Sequence, residues 1–338
     1  MMKLYKILFF NVLVISSLIA ISAYSWLNMW IGLEINLMSF IPLMKSHDNI
    51  FPAEATLKYF ITQTLASTMI LFAITMILNT SDFIPNSFNY WFMMILSSAL
   101  LTKMGAAPFH SWFPEVMEGL NWMNSLILLT WQKLAPMVLI MYNLELSMLF
   151  QVVIICSSVI SGIMGLNQIS LRKIMAYSSI NHIAWMLASM LNLKTIWLMY
   201  FLVYSMISIN MIYIFYILNV FTLKQLFLTI NSNKLTKLFL ILNMLSLGGL
   251  PPFLGFMPKW MVVNHLVKNN YFTLSMILIV FTLLSLYFYL RITFSTFSIS
   301  MQETIIYSNW KMSNFFMILT NAITVLGLFV CTSLFNFL

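Results

Sequence analysis

Runs of about 18 or more mostly apolar residues follow one another along almost the whole chain. They lie at approximately 4–23, 26–44, 56–78, 90–107, 121–142, 146–166, 174–191, 196–219, 238–263, 271–291 and 314–337. A helix of that length, at about 1.5 Å per residue, crosses the roughly 30 Å hydrocarbon core of a bilayer. Lipid offers no partner to open backbone groups, so such runs fold as helices that pair their own amides and carbonyls. The chain is therefore read as an all-α polytopic membrane bundle of about eleven transmembrane helices. Short connections make sequential helices antiparallel neighbours.

Composition excludes other classes. Charged residues make up 7% of the 338 residues, against about 25% in soluble domains. The apolar runs leave no stretch for a soluble nucleotide-binding domain, so redox or nucleotide chemistry is expected on partners. The net charge of +8 does not imply nucleic acid, because the basic residues are scattered through short loops and form no patch. Their distribution is asymmetric instead. Eleven of them, from Lys3 and Lys6 to Arg291 and Lys311, fall on the side of the N-terminal tail, and only Lys194 and Lys268 fall on the other. By the positive-inside rule the N-terminus lies on the cytoplasm or matrix side and the C-terminus opposite. Lys3 and Lys6 before an apolar run also resemble a signal peptide, but the run reaches Ala23 and can span, so an uncleaved first helix is expected. Cys156 and Cys331 both sit inside apolar runs, and neither a disulfide framework nor a metal site is expected. The 29 methionines and 29 phenylalanines are read as packing or lipid-facing residues.

Three basic residues, Lys103, Lys133 and Lys259, fall within spans, as does one acid, Glu34. A charge at the centre of a membrane helix costs about 2.5–3.5 kcal/mol on insertion scales, so such residues face a protein interior or a hydrated cavity and handle ions or protons. Each lysine lies beside a helix-breaking signal. Gly105 and Pro108 follow Lys103; Pro136 follows Lys133 and frees the carbonyl of Gln132, so a kink is expected there. Lys259 ends a stretch containing Gly248, Gly249, Pro251, Pro252 and Pro258, and is expected to open the second half-helix, at its positive end. Two interrupted segments, each near a lysine, are the pattern of ion-handling proteins built from discontinuous helices.

Other polar positions are weaker. Lys58 follows Glu54 by four residues, which suits an interfacial salt bridge as well as a proton-path role. His110, beside Trp112 and Phe113, suits an interfacial aromatic belt. Arg172 and Lys173 are read as topology determinants. His182 lies about two turns inside its helix beside Ser178, Ser179 and Asn181, and reads as a packing hydrogen bond or a proton relay.

The strings WIGLEINLMSFIP (30–42), EATLKYF (54–60), KMGAAPFHSWFPEVMEGL (103–120), TWQKLAP (130–136), LRKIMAYSSINHIAWM (171–186) and LSLGGLPPFLGFMPKW (245–260) resemble the antiporter-like membrane subunits of mitochondrial respiratory complex I. More widely, they resemble subunits of multi-subunit cation/proton antiporters. The likeness runs through nearly the whole chain in the family's order. It implies two inverted five-helix repeats, each with one broken helix, within a single transmembrane domain over residues 1–338 whose proton-translocating module covers about 24–290. It implies that Glu34 pairs with Lys103, that Lys133 lies at the centre of a Glu/Lys row, and that Lys259 sits at the second broken helix. It also implies proton translocation coupled to electron transfer from NADH to ubiquinone. NADH, FMN, iron–sulfur clusters and ubiquinone would all be held by partner subunits, with no cofactor on this chain. Expected partners are the other membrane-arm and accessory subunits and membrane lipids, not nucleic acid. The expected location is the mitochondrial inner membrane, N-terminus to the matrix and C-terminus to the intermembrane space. An autonomous cation/proton antiporter and a charged scaffold are the competing readings. The resemblance also implies that the chain starts where bacterial members of the family have already made three helices, similar to the shortened animal mitochondrial form, and that Ala184 stands where the family more often has glycine.

Overall fold

The computed structural model describes residues 4–45, 51–80, 86–144, 147–191, 193–230 and 234–298, together with 321, 322, 324 and 327. Among these the regular structure is α-helical, with one isolated antiparallel bridge between Ser170 and Thr222. Every expected run from 4–23 through 271–291 is helical, and 121–142 and 238–263 are each made in two pieces. Most of the expected run 314–337, and Cys331, lie outside the described residues.

The chain forms two compact units, Met1–Val153 and Ile154–Leu338. In order the first helices are α1 (Leu4–Ser22), α2 (Trp26–Met44), α3 (Phe51–Thr80), α4 (Asn86–Met104), α5 (Trp112–Gly119), α6 (Trp122–Leu129), α7 (Trp131–Ile140) and α8 (Ser147–Leu166). They continue with α9 (Leu171–Met190), α10 (Lys194–Leu218), α11 (Leu223–Thr229), α12 (Lys234–Gly248), α13 (Phe256–Lys268) and α14 (Phe272–Ser298). Ser25 starts α2 by accepting a hydrogen bond from the Asn28 amide at 3.3 Å, which serves one of the amides a helix start leaves open. Thr222 and Gln225 do the same for α11 as a reciprocal capping box.

Seven helices among the described residues are long and apolar enough to cross a membrane. The expected spans in α4, in α9 and across α12 and α13 are not among those seven, and α9 shows one reason. Almost its whole circumference is buried, from Leu171 to Met190, although it carries Ser178, Ser179, Asn181 and His182. Neighbouring helices, not lipid, are its solvent, so it can carry polar side chains that a lipid-facing helix cannot. The lipid side is furnished by other helices: Leu8, Leu65, Leu202 and Leu283 are all largely exposed. In a soluble protein so much exposed apolar surface would drive association; on a membrane protein it faces hydrocarbon.

Candidate functional site

Among the described residues each unit contains a helix break at a left-handed glycine beside a buried lysine, and these two breaks are built alike. α4 ends at Met104 and is followed by Gly105 at φ +75°, whose amide bonds back to Thr102 while that of Ala106 bonds back to Leu101. α12 ends at Gly248 and is followed by Gly249 at φ +78°, whose amide bonds back to Ser246 while that of Leu250 bonds back to Leu245. Only a residue without a Cβ takes this left-handed turn cheaply, and the two return bonds close the helix end. Pro108, joined to Ala107 by a cis peptide, and Pro251 and Pro252 occupy the segments between half-helices. Proline has no amide to leave unpaired there.

In the first unit Lys103 is the second-last residue of α4 and is buried, and Lys133 on α7 is only 1% exposed. The Lys133 ammonium stands 5.5 Å from the centre of the Phe113 ring, within cation–π range. Lys103 and Lys133 line one cavity of about 20 Å³ together with Asn36, Tyr59, Gln63 and Gln132, enough for a water molecule among polar partners. Gln132 donates to the Asn36 side-chain oxygen at 2.8 Å, and Gln63 donates to the Lys103 carbonyl at 3.4 Å.

Glu34 does not form the direct pair with Lys103 that the resemblance implies. The ion pairs among the described residues join Lys58 to Glu54 and to Glu115. Leu33, Asn36 and Leu37 form the face of α2 that lines the cavity, and Glu34 borders it, about 60° round the helix from Leu37. Its Oε2 is buried with no hydrogen-bond partner, and its charge acts on Lys103 and Tyr59 through space.

The interruption near Lys133 also differs from expectation. Pro136 lies inside α7, and the chain departs from the helix at Thr130, with φ −112° and ψ −71°. At this departure the Lys133 amide bonds three residues back to the Thr130 carbonyl at 3.3 Å and the Thr130 hydroxyl donates to the Leu126 carbonyl at 2.7 Å.

In the second unit α13 opens at Phe256, so Pro258 and Lys259 belong to its first turn. Lys259 does not open the half-helix as expected, and its ammonium does not rest at the positive end of α13. It reaches back across the break and donates to the carbonyls of Gly248 at 2.8 Å and Leu247 at 3.3 Å. These are the last two residues of α12, where unpaired carbonyls and the helix dipole both favour a cation. Its Nζ also lies 6.0 Å from the Trp185 ring. His182 is buried, with Nδ1 2.9 Å from the Tyr200 hydroxyl and its ring 4.9 Å from that of Tyr204. Beside it Asn181 donates to Ser285 at 2.9 Å.

Lys58 is about 42% exposed and is clasped by Glu54 at 3.2 Å and Glu115 at 2.9 Å. His110 stays outside both lysine clusters, with Nδ1 3.3 Å from the Pro108 carbonyl. The residues that sequence reasoning missed are Asn36, Tyr59, Gln63 and Gln132 at the cavity, Glu115 on Lys58, and Tyr200 and Tyr204 on His182. A polar side chain inside an apolar run was the available signal for Asn36, Gln63 and Gln132.

Broken helices whose ends meet buried lysines fit a membrane subunit of the antiporter-like class. In agreement, residues 23–285 match the family model for the transmembrane part of NADH:quinone oxidoreductase and Mrp antiporters. The chain is 47% identical over 94% of its length to NADH-ubiquinone oxidoreductase chain 2 of Anopheles gambiae, covering 92% of that protein. It is 46% identical over 99% of its length to the Aedes aegypti protein of the same name, covering 99% of it. The fold matches a chain of respiratory complex I from Thermus thermophilus with a TM-score of 0.85 at 20% identity, covering 96% of this chain and 79% of that one. A chain of the archaeal membrane-bound sulfane sulfur reductase matches with a TM-score of 0.83 at 16% identity, over 97% and 73%. The chain belongs to this family, in its NADH-ubiquinone oxidoreductase chain 2 branch.

Proposed function

We propose that this chain is a proton-translocating module of the membrane arm of complex I. It is set in the mitochondrial inner membrane with its N-terminus in the matrix and its C-terminus facing the intermembrane space. The module occupies about residues 24–290 of one transmembrane domain. NADH, FMN, the iron–sulfur clusters and ubiquinone belong to other subunits, and this chain moves charge without a redox centre of its own. Its partners are other membrane-arm and accessory subunits and membrane lipids.

The observation that carries the reading is the cavity onto which Lys103 and Lys133 both open, lined by amides and a phenol and large enough for water. Two ammonium groups facing one small space repel, so a proton on one disfavours a proton on the other, and the charge state of one site is transmitted to its neighbour. Glu34 sets the field at Lys103, Lys133 passes the proton, and Lys259 governs exit or the link to an adjacent subunit. His182, hydrogen-bonded to Tyr200, is a secondary relay; for Lys58 the double carboxylate clasp favours an ion-pair role.

The test separates this function from autonomous cation exchange. In sealed vesicles carrying the assembled complex, NADH oxidation drives proton translocation that persists when Na⁺ and K⁺ are replaced by an impermeant cation. Na⁺/H⁺ or K⁺/H⁺ exchange by the chain without NADH would overturn the proposal.

A further inference from the structure

The broken segment of the first unit is anchored at the surface, through a run of contacts that continues to the buried lysines. α5 lies along the start of α3. Gly119 backs onto Phe51 so closely that a Cβ there would stand 2.8 Å from the Phe51 carbonyl oxygen. One turn earlier Glu115 grips Lys58 at 2.9 Å. Another turn earlier Trp112 meets Tyr59 edge-on at 5.9 Å between ring centres. On α5 the three contact residues are a helical turn apart, and on α3 Phe51, Ala55 and Tyr59 are likewise a turn apart with Lys58 next to Tyr59, so α5 lies along about two turns of α3.

The other side of α5 carries the wall of the cavity. Trp112 donates its indole N–H to the Thr102 carbonyl at 3.1 Å, one residue before Lys103. Phe113 presents its ring to Lys133 at 5.5 Å. The Phe113 Cβ lies 3.0 Å from where a Cβ on Gly105 would be. A shift of α5 along α3 therefore moves the Phe113 ring against the Lys133 ammonium and the Trp112 indole against the end of α4.

The geometry points to Glu115 as a positioning residue: its ion pair with Lys58 is a latch that fixes α5, and thereby the shape of the cavity between Lys103 and Lys133. The latch rests on the proposed proton-handling role of that cavity. An exposed ion pair contributes little to stability, but here it fixes which register of α5 on α3 is occupied. Lys58 acts through its charge and reach, not as a proton carrier. Glu54, on the same helix as Lys58, holds the other side of the ammonium and has no part in seating α5.

The test uses the assembled complex and two readouts. In Glu115→Gln, amide hydrogen exchange across Trp112–Gly119 rises at least threefold, and NADH-driven proton translocation falls severalfold. Both recover in the charge-swapped double variant Lys58→Glu with Glu115→Lys. In Glu54→Gln the α5 exchange stays at the parent rate. Unchanged exchange in Glu115→Gln, raised exchange with unaltered translocation, or a loss that the charge swap does not restore would each overturn the latch. A proton-carrying role for Lys58 predicts the last of these. The exchange result is independent of the proton-handling reading, which fails separately if proton translocation is indifferent to Lys133.

Discussion

The two helix breaks share their backbone and differ in what finishes it. At each, a left-handed glycine turns the chain and two amides return to the helix just ended: Gly105 and Ala106 after α4, Gly249 and Leu250 after α12. The carbonyls that this motif leaves over are served differently. After α4 a neutral amide, Gln63, reaches the Lys103 carbonyl at 3.4 Å, and the Lys103 side chain is left to line the cavity. After α12 the ammonium of Lys259 itself takes the carbonyls of Leu247 and Gly248. One lysine is thus held by its own broken helix and two are held by a cavity. The same residue type at the same kind of break therefore serves two ends: the Lys259 ammonium closes the end of its own broken helix, whereas the Lys103 side chain lines the cavity with Lys133.

The largest effect expected from this difference is structural. Lys259→Met leaves two buried carbonyls without their donor, at about 1–3 kcal/mol each, and lowers the thermal stability and yield of the assembled complex on native gels. Equal stability of Lys259→Met and parent would erase the contrast between the breaks. Gly249→Ala comes next. A side chain at this φ costs about 1–2 kcal/mol, and its Cβ would stand 2.8 Å from the Lys259 Cδ, so the lysine can yield only by giving up its carbonyls. Complex stability should fall by at least that backbone cost, which persists in a Lys259→Met background, whereas the further loss from the displaced carbonyl bonds should vanish there, as expected for coupled neighbours. Gln63→Leu is the mild counterpart in the first unit. It removes one long hydrogen bond, about 0.5–1.5 kcal/mol, and should leave assembly near normal in the same gel assay.

What was legible in the sequence follows the same division between local and tertiary causes. Span length and the Gly-Pro clusters after Lys103 and before Lys259 are local properties, and the helices and both breaks stand where they predict. The burial of the three lysines followed from their place within spans. Which helix end Lys259 serves did not, because the partner carbonyls are brought to it across the non-helical segment Gly249–Gly255, which spacing alone does not orient. The departure at Thr130 carries no glycine or proline signal of its own, so spacing did not announce it. Glu34 stands on α2 near Lys103 without the contact distance of an ion pair, because that distance depends on the rotation of α2 against α4, which spacing does not set. The Glu115–Lys58 pair joins residues 57 positions apart, and no periodicity announces it.

The most direct test of the central claim is the number of protons translocated per electron in sealed vesicles carrying Lys133→Met, with assembly verified by native gel. Methionine keeps an unbranched side chain of similar length beside Phe113 and removes the charge. The account predicts that the assembled enzyme oxidises NADH with fewer protons moved, or that oxidation and translocation stop together through tight coupling. Parent rates of both would make Lys133 a packing residue and contradict the proton route through the cavity.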